Sequence, residues 1–214
     1  MTPLIDIALV GIFLGNFLTI GLRSLVSIVK VAAVQGFLLG VIIVSMHGFE
    51  WRPLAEALVV VGLKTFVIPA FLFRAMREIK VRREERPFLG IVPSLMLAAA
   101  AAGLSLVFSA RLPLAPAHAS SLLVPASLAT VLTGFILLTT RRKAITQVVG
   151  YLVLENGIFL FGLLLIDAMP FMVEMGAMLD LFVCVFVMGI ILNHIRNEFS
   201  TLDSSRLSSL REDL

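Results

Sequence analysis

Cysteine is nearly absent: Cys184, set within an apolar run, is the single thiol in 214 residues. That excludes a disulfide framework, a thiolate-held iron–sulfur cluster and a Cys-based zinc site within the chain. Cys184 itself reads most simply as a small buried apolar residue. Charge is scarce too, at 14% of residues, against about 25% in an average soluble domain. Missing as well are a Walker A loop, a dinucleotide fingerprint, a Ser–His–Asp setting and a zinc pattern, so no motif of a soluble enzyme is present. The formal net charge is +3. The basic residues lie between apolar segments rather than along one amphipathic face, which argues against nucleic acid as a partner.

What fills the chain instead is apolar. Hydrophobic residues make up 59% and the mean hydropathy is +1.06. A water-soluble fold of this size would expose too much of that surface, so lipid is the expected solvent. A helix needs roughly 20 mostly apolar residues to cross a bilayer core. On that measure the sequence predicts an all-α membrane protein with about seven transmembrane helices, at 3–22, 25–46, 54–73, 89–110, 119–140, 144–166 and 171–195. Residues 1–196 then form one transmembrane helical domain and 197–214 a cytoplasmic tail. The first residues, Met1 to Asp6, lack the positive start of a signal peptide, so the first span is expected to be retained.

Loop charge gives an independent check on the count. The odd-numbered connections carry Arg23 with nearby Lys30, then Arg74, Arg77, Lys80, Arg82, Arg83 and Arg86, then Arg141, Arg142 and Lys143. Arg196, Arg206 and Arg211 follow in the tail, whereas the even connections hold only Arg52 and Arg111. Positive residues mark the cytoplasmic side, so the N-terminus is expected outside and the C-terminus inside. Trp51 fits an outer-interface anchor. A 3+1+3 parallel repeat is also expected: Gln35-Gly36 and then Glu56 in the first three spans match Asn156-Gly157 and then Glu174 in the last three. The Ala-rich fourth span is then the spacer.

Charged side chains inside a bilayer core cost roughly 2.5–3.5 kcal/mol each on insertion scales, so each one needs a reason. The candidates are Lys64, Glu155, Glu174 and Asp180. At about 1.5 Å per residue, Glu155 and Lys64 lie near the midplane and Asp180 close to that level. Tyr151 precedes Glu155 by one turn and Asn156 adjoins it. Lys30 sits near enough to its helix start to snorkel inward. Pro69 is expected to free a carbonyl near Lys64 and loosen the helix there. The simpler alternatives stay open. Lys64 also reads as a structural partner of a carboxylate on another chain or span, Glu155 as a static hydrogen-bonding group, and Asp180 as structural. Glu56 and Glu174 lie near the interface, where solvated helix-start charges are favoured. The basic stretch 74–86 reads first as a topology determinant and second as a partner-docking loop. His47, His118 and His194 sit at or near span ends without ligand spacing, and the nine methionines read as packing.

The stretch from Arg141-Arg142-Lys143 to Gly150-Tyr151-Leu152-Val153-Leu154-Glu155-Asn156-Gly157 resembles the hydrogenase-4 component E family. So do Val173-Glu174-Met175-Gly176 with Asp180, the tail Thr201-Leu202-Asp203, and Lys64 followed by Pro69. The resemblance spans nearly the whole chain in layout and is specific from about Ile145 to Leu210. That family is similar, over its last three helices (about 119–195 here), to the K subunit of respiratory complex I and the C subunit of multisubunit cation/proton antiporters. The K-type glutamate positions hold Leu152 and fall near Phe182 here, so the carboxylates correspond by depth rather than residue by residue. The resemblance implies a subunit of a group 4 hydrogenase complex, of formate hydrogenlyase type, in a bacterial or archaeal cytoplasmic membrane. Its implied partners are antiporter-like membrane subunits and peripheral hydrogenase subunits. The nickel–iron centre and iron–sulfur clusters would belong to those partners, with none in this chain. Glu155 would be the central protonatable carboxylate of a proton or cation path, tuned by Lys64 and extended outward by Asp180 and Glu174. A scaffold role and membership of a cation/proton antiporter are the rival readings.

Overall fold

The computed structural model describes residues 3–47, 51–78, 88–112 and 122–163, with the single helical positions Phe182, Phe186 and Gly189. Every element is helical. Helices α1 (Pro3–Gly21) and α2 (Leu25–His47) are followed by α3 (Trp51–Val61), a π-helical segment (Gly62–Val67) and α4 (Ile68–Glu78), which run on without a break. Then come α5 (Ile91–Ser109), α6 (Leu123–Thr140) and α7 (Ala144–Gly162). Counting α3, the π segment and α4 as one, six of these helices are long and apolar enough to cross a membrane. They match the first six expected spans. The seventh, 171–195, lies outside the described residues except at Phe182, Phe186 and Gly189, as do the tail and the loop 79–87.

The helices are apolar on the side that faces away from the bundle. On α1, Leu4, Ile7, Val10, Leu14 and Leu18 are exposed, while Asn16 and Thr19 are buried among Ile5, Leu9, Ile12 and Ile20. A water-soluble helix shows the reverse pattern. This arrangement suits a hydrocarbon surround, where polar side chains are cheaper inside the bundle than against lipid.

Helices α6 and α7 form the tightest pair, because glycines remove the side chains between them. A Cβ on Gly157 would lie 2.5 Å from the Val131 backbone nitrogen, and one on Gly134 2.5 Å from Leu154 Cα. Against this pair pack α1, which touches α6, and α2, which touches α7; α3, the π segment and α4 lean on α2. The Ala-rich α5 sits at the margin against α1 and α6, turning Ala98, Ala101 and Ala102 inward.

Buried side chains divide into two apolar clusters. One gathers Ile20, Leu25, Val29, Leu72, Leu137 and Val149 toward the end that carries Arg23, Arg74 and Arg141. The other gathers Ile5, Leu9, Leu39, Val60, Ala126 and Leu160 toward the opposite end. On five of these segments buried polar residues fall between the clusters: Asn16 on α1, Gln35 on α2, Lys64 in the π segment, Thr130 and Thr133 on α6, Glu155 and Asn156 on α7; Ser94 and Ser105 on α5, Thr140 and Thr146 are buried elsewhere. The bundle therefore has a polar layer at mid-height between two apolar ones.

Candidate functional site: a buried ion pair at mid-height

Lys64 owes its position to the chain on either side. Pro69 carries no N–H, and its ring crowds the carbonyl four residues earlier, that of Thr65. The helix widens just upstream of this clash: the Ile68 N–H reaches back five residues to the Leu63 carbonyl. The loosening expected from Pro69 thus takes the form of a π-helical segment, with Lys64 inside it. Thr65 Oγ1 donates to the Ala33 carbonyl at 3.3 Å, which ties the segment to α2. Facing Lys64 on α2 is Gly36, where an added Cβ would lie 2.6 Å from Lys64 Cβ and 3.1 Å from its carbonyl carbon. Only glycine lets α2 come so close.

From there the lysine crosses to α7. Its Nζ lies 3.1 Å from Glu155 Oε1, with the two side chains 4% and 2% exposed. The same nitrogen donates to Asn156 Oδ1 at 3.0 Å and sits 5.8 Å from the centre of the Phe159 ring. One stretch of α7 therefore supplies a carboxylate, an amide oxygen and a ring face to a single ammonium. Opposite charges brought together out of water offset part of each other's desolvation cost, and removing either leaves the other uncompensated.

A second, uncharged group lies in the same layer. Gln35 Nε2 donates to Asn16 Oδ1 at 2.9 Å and to the Ile12 carbonyl at 3.2 Å. Asn16 Nδ2 donates to Thr130 Oγ1 at 2.8 Å, joining α1 to α6. Gln35 neighbours Gly36 in the chain, so the amide group and the ion pair meet along α2.

The structure brings together three of the expected site residues: Lys64, Glu155 and Asn156. Tyr151, one turn below Glu155, is half-buried and lines an apolar groove with Leu138, Val148, Phe182 and Phe186. Lys30 is exposed near the basic end of α2. Glu174 and Asp180 lie outside the described residues, as does the side chain of Glu56. Sequence reasoning missed Asn16 and Thr130, although an asparagine in an apolar 19-residue helix was a usable signal. It took Gln35 only as a mark of the repeat. Arg141 was read as a loop charge and as part of the stretch that carries the family resemblance. It is 2% exposed, and its Nη2 donates to the Ile20 carbonyl at 2.6 Å, capping the C-terminal end of α1. Arg142 instead covers the Phe88 ring at 4.3 Å. Among the described residues no group of three or more His, Cys, Asp or Glu converges as metal ligands would.

Comparison with known proteins gives two kinds of relative. The chain is 33% identical to the uncharacterized protein Rv0085 of Mycobacterium tuberculosis, over 98% of this chain and 96% of that one. It is 29% identical to Hydrogenase-4 component E of Escherichia coli K12, over 69% of this chain and 68% of that one. The Shigella flexneri protein of the same name matches to the same extent. No protein-family profile matches the chain. No solved structure does either.

Proposed function

The chain belongs to the same family as protein Rv0085 of Mycobacterium tuberculosis, and from that premise we propose that it is a membrane-arm subunit of a hydrogenase-type, complex I-like assembly. In this reading it performs no catalysis alone and lends intramembrane charges to a proton or cation path coupled to electron transfer elsewhere. The similarity to Hydrogenase-4 component E supports the setting. The observation that carries the path is the Lys64–Glu155 pair, buried at mid-height in a bundle of apolar helices. Such charges are costly in a membrane and mark ion routes or their control.

The rest of the reading follows the loop charges and the sequence. A seventh span at 171–195 completes the bundle, with the N-terminus outside, the C-terminus inside and a 3+1+3 repeat. Asp180 and Glu174 extend the route outward from Glu155. Metal centres belong to peripheral partner subunits, and antiporter-like subunits adjoin this one in the bacterial or archaeal cytoplasmic membrane. Electron transfer in the partner shifts the distance between Lys64 and Glu155, and the carboxylate then changes its proton. Glu155→Gln tests this in the assembled complex in inverted vesicles. Proton movement should be lost while the complex still forms; undiminished proton movement refutes the path.

A second reading has its own support. The ammonium is held at once by Glu155, Asn156 and Phe159, as a pin locking the π segment onto α7 would be. A scaffold of that kind predicts loss of assembly in Glu155→Gln rather than loss of proton movement.

A further inference from the structure

We propose that the groove between α7, Leu138 of α6 and the Phe182 and Phe186 rings is a seat for one anionic phospholipid: an acyl chain lies in the groove and the headgroup phosphate meets Arg142 and Lys143. The inference goes beyond the ion-path reading and does not depend on it. The groove measures about 490 Å³, inside the range of about 300–1,000 Å³ usual for small-molecule sites. Ala144, Val148 and Tyr151 line it from one face of α7, at the spacing a helical face requires. With Leu138, Phe182 and Phe186 they make it almost wholly apolar. Its polar member, Gln147, is engaged with the Arg141 carbonyl, to which Nε2 donates at 3.0 Å.

The level of the groove suits one leaflet. Ala144 is the first residue of α7 and directly follows Lys143, so the groove begins at the basic end. Ala144 is also exposed, which leaves that end open. From there to Tyr151 the helix rises about 10 Å, less than half of a hydrocarbon core roughly 30 Å thick. An acyl chain entering beside Lys143 therefore runs along α7 without crossing the midplane. It stops one turn short of Glu155, so the ion pair is not part of this site.

Charge decides which lipid. Arg141, Arg142 and Lys143 stand at the mouth, and the sequence has no acidic residue from there to Glu155. Arg141 is turned inward to the Ile20 carbonyl. Arg142 stays exposed, with its guanidinium carbon 4.3 Å from the centre of the Phe88 ring. That ring is itself held, because the Phe88 N–H donates to the Thr140 carbonyl at 2.8 Å. The positive charge at the groove mouth is thus fixed in place rather than carried on a loose side chain. Basic pockets between membrane helices at the cytoplasmic interface bind anionic headgroups. A zwitterionic lipid can put a chain in the same groove, but its headgroup brings a cation to the basic cluster and loses most of the electrostatic gain.

The test uses the full-length protein with Phe182→Trp in the groove and Trp51→Phe to silence the one native tryptophan. It is reconstituted in phosphatidylcholine vesicles with increasing fractions of a lipid whose brominated acyl chains quench tryptophan on contact. Brominated phosphatidylglycerol should quench at about one-tenth or less of the fraction that brominated phosphatidylcholine needs, since each of two basic residues contributes about a factor of five. Salt at about 1 M, which screens charges beyond about 3 Å, should erase the difference, and so should Arg142→Gln combined with Lys143→Gln. Leu104→Trp, at an exposed position of α5, should respond equally to the two lipids. Equal quenching at Phe182→Trp overturns the proposal, because the groove then holds only ordinary bilayer lipid. No quenching by either lipid overturns it too, since the groove is then filled by protein, such as a second copy of this chain. A phosphatidylglycerol preference that survives salt, or the paired substitution in a folded protein, refutes the headgroup seat. The same preference at Leu104→Trp refutes the groove as its cause. If the paired substitution prevents folding, the salt series decides.

Discussion

Replacing Lys64 by methionine removes the ammonium that lies 3.1 Å from Glu155 Oε1 and 3.0 Å from Asn156 Oδ1. Glu155, 2% exposed, is then left as a buried carboxylate with its countercharge gone. Breaking a buried pair from one side costs about 3–5 kcal/mol, because the surviving charge keeps its desolvation penalty without the attraction that offset it. Glu155→Met strands the lysine and should cost a similar amount. The double substitution places two apolar side chains of matching length in the same space and removes both penalties. Its cost should therefore be far below the sum of the singles, and replacing a whole buried pair by apolar groups is often close to neutral. The assay is reversible unfolding of the four proteins in bicelles, read as a double-mutant cycle. Independent sites add to within about 0.5 kcal/mol. Additivity at that level would mean that Lys64 and Glu155 do not contact each other in the bilayer, and the site would have to be abandoned.

Other consequences concern packing and the uncharged part of the polar layer. Gly157→Ala would drive a methyl to 2.5 Å from the Val131 nitrogen and 2.8 Å from the Ser127 carbonyl oxygen. Forcing α6 and α7 apart should lower stability by about 1–3 kcal/mol in the same unfolding assay. Gly103→Ala on α5 is the control, because nothing lies within 4 Å of the added Cβ; it should raise stability by roughly 0.5–1 kcal/mol. Asn16→Leu removes the bond to Thr130 and one of the two acceptors of Gln35 Nε2. With polar groups left in the bundle interior, a loss of about 1–3 kcal/mol is expected, and equal stability would mean that the amide group is not formed in the membrane.

Much of the helix layout was legible because hydrophobic length is a local property. The ends of α1, α2, α6 and the start of α7 fall within a few residues of those expected. Lys64 and Glu155 stood out because a charge in an apolar run is costly wherever the run packs. Their pairing was not legible. Lys64 and Asn156 are 92 positions apart, and Asn16 and Thr130 are 114 apart; nothing in an apolar helix says which neighbour each face will meet. Pro69 signalled a disturbed helix, but whether the chain would kink, tighten or widen depended on Gly36 making room across the interface. Arg141 was hidden for a related reason. In a run of three basic residues, only the packing of α1 against α6 selects the one that turns inward to the Ile20 carbonyl.

By itself, the amino-acid sequence determined the solvent, the helices and the residues that lipid would not tolerate. Each of these is an energy per residue, summed along the chain. The tertiary structure alone decided that Asn16, Gln35, Lys64, Thr130, Glu155 and Asn156 share one level between two apolar clusters and that a lysine in a π-helical segment meets a glutamate on α7. Those outcomes depend on the rotation and register of one helix against another, which close contacts at Gly36, Gly134 and Gly157 set only once the helices are packed.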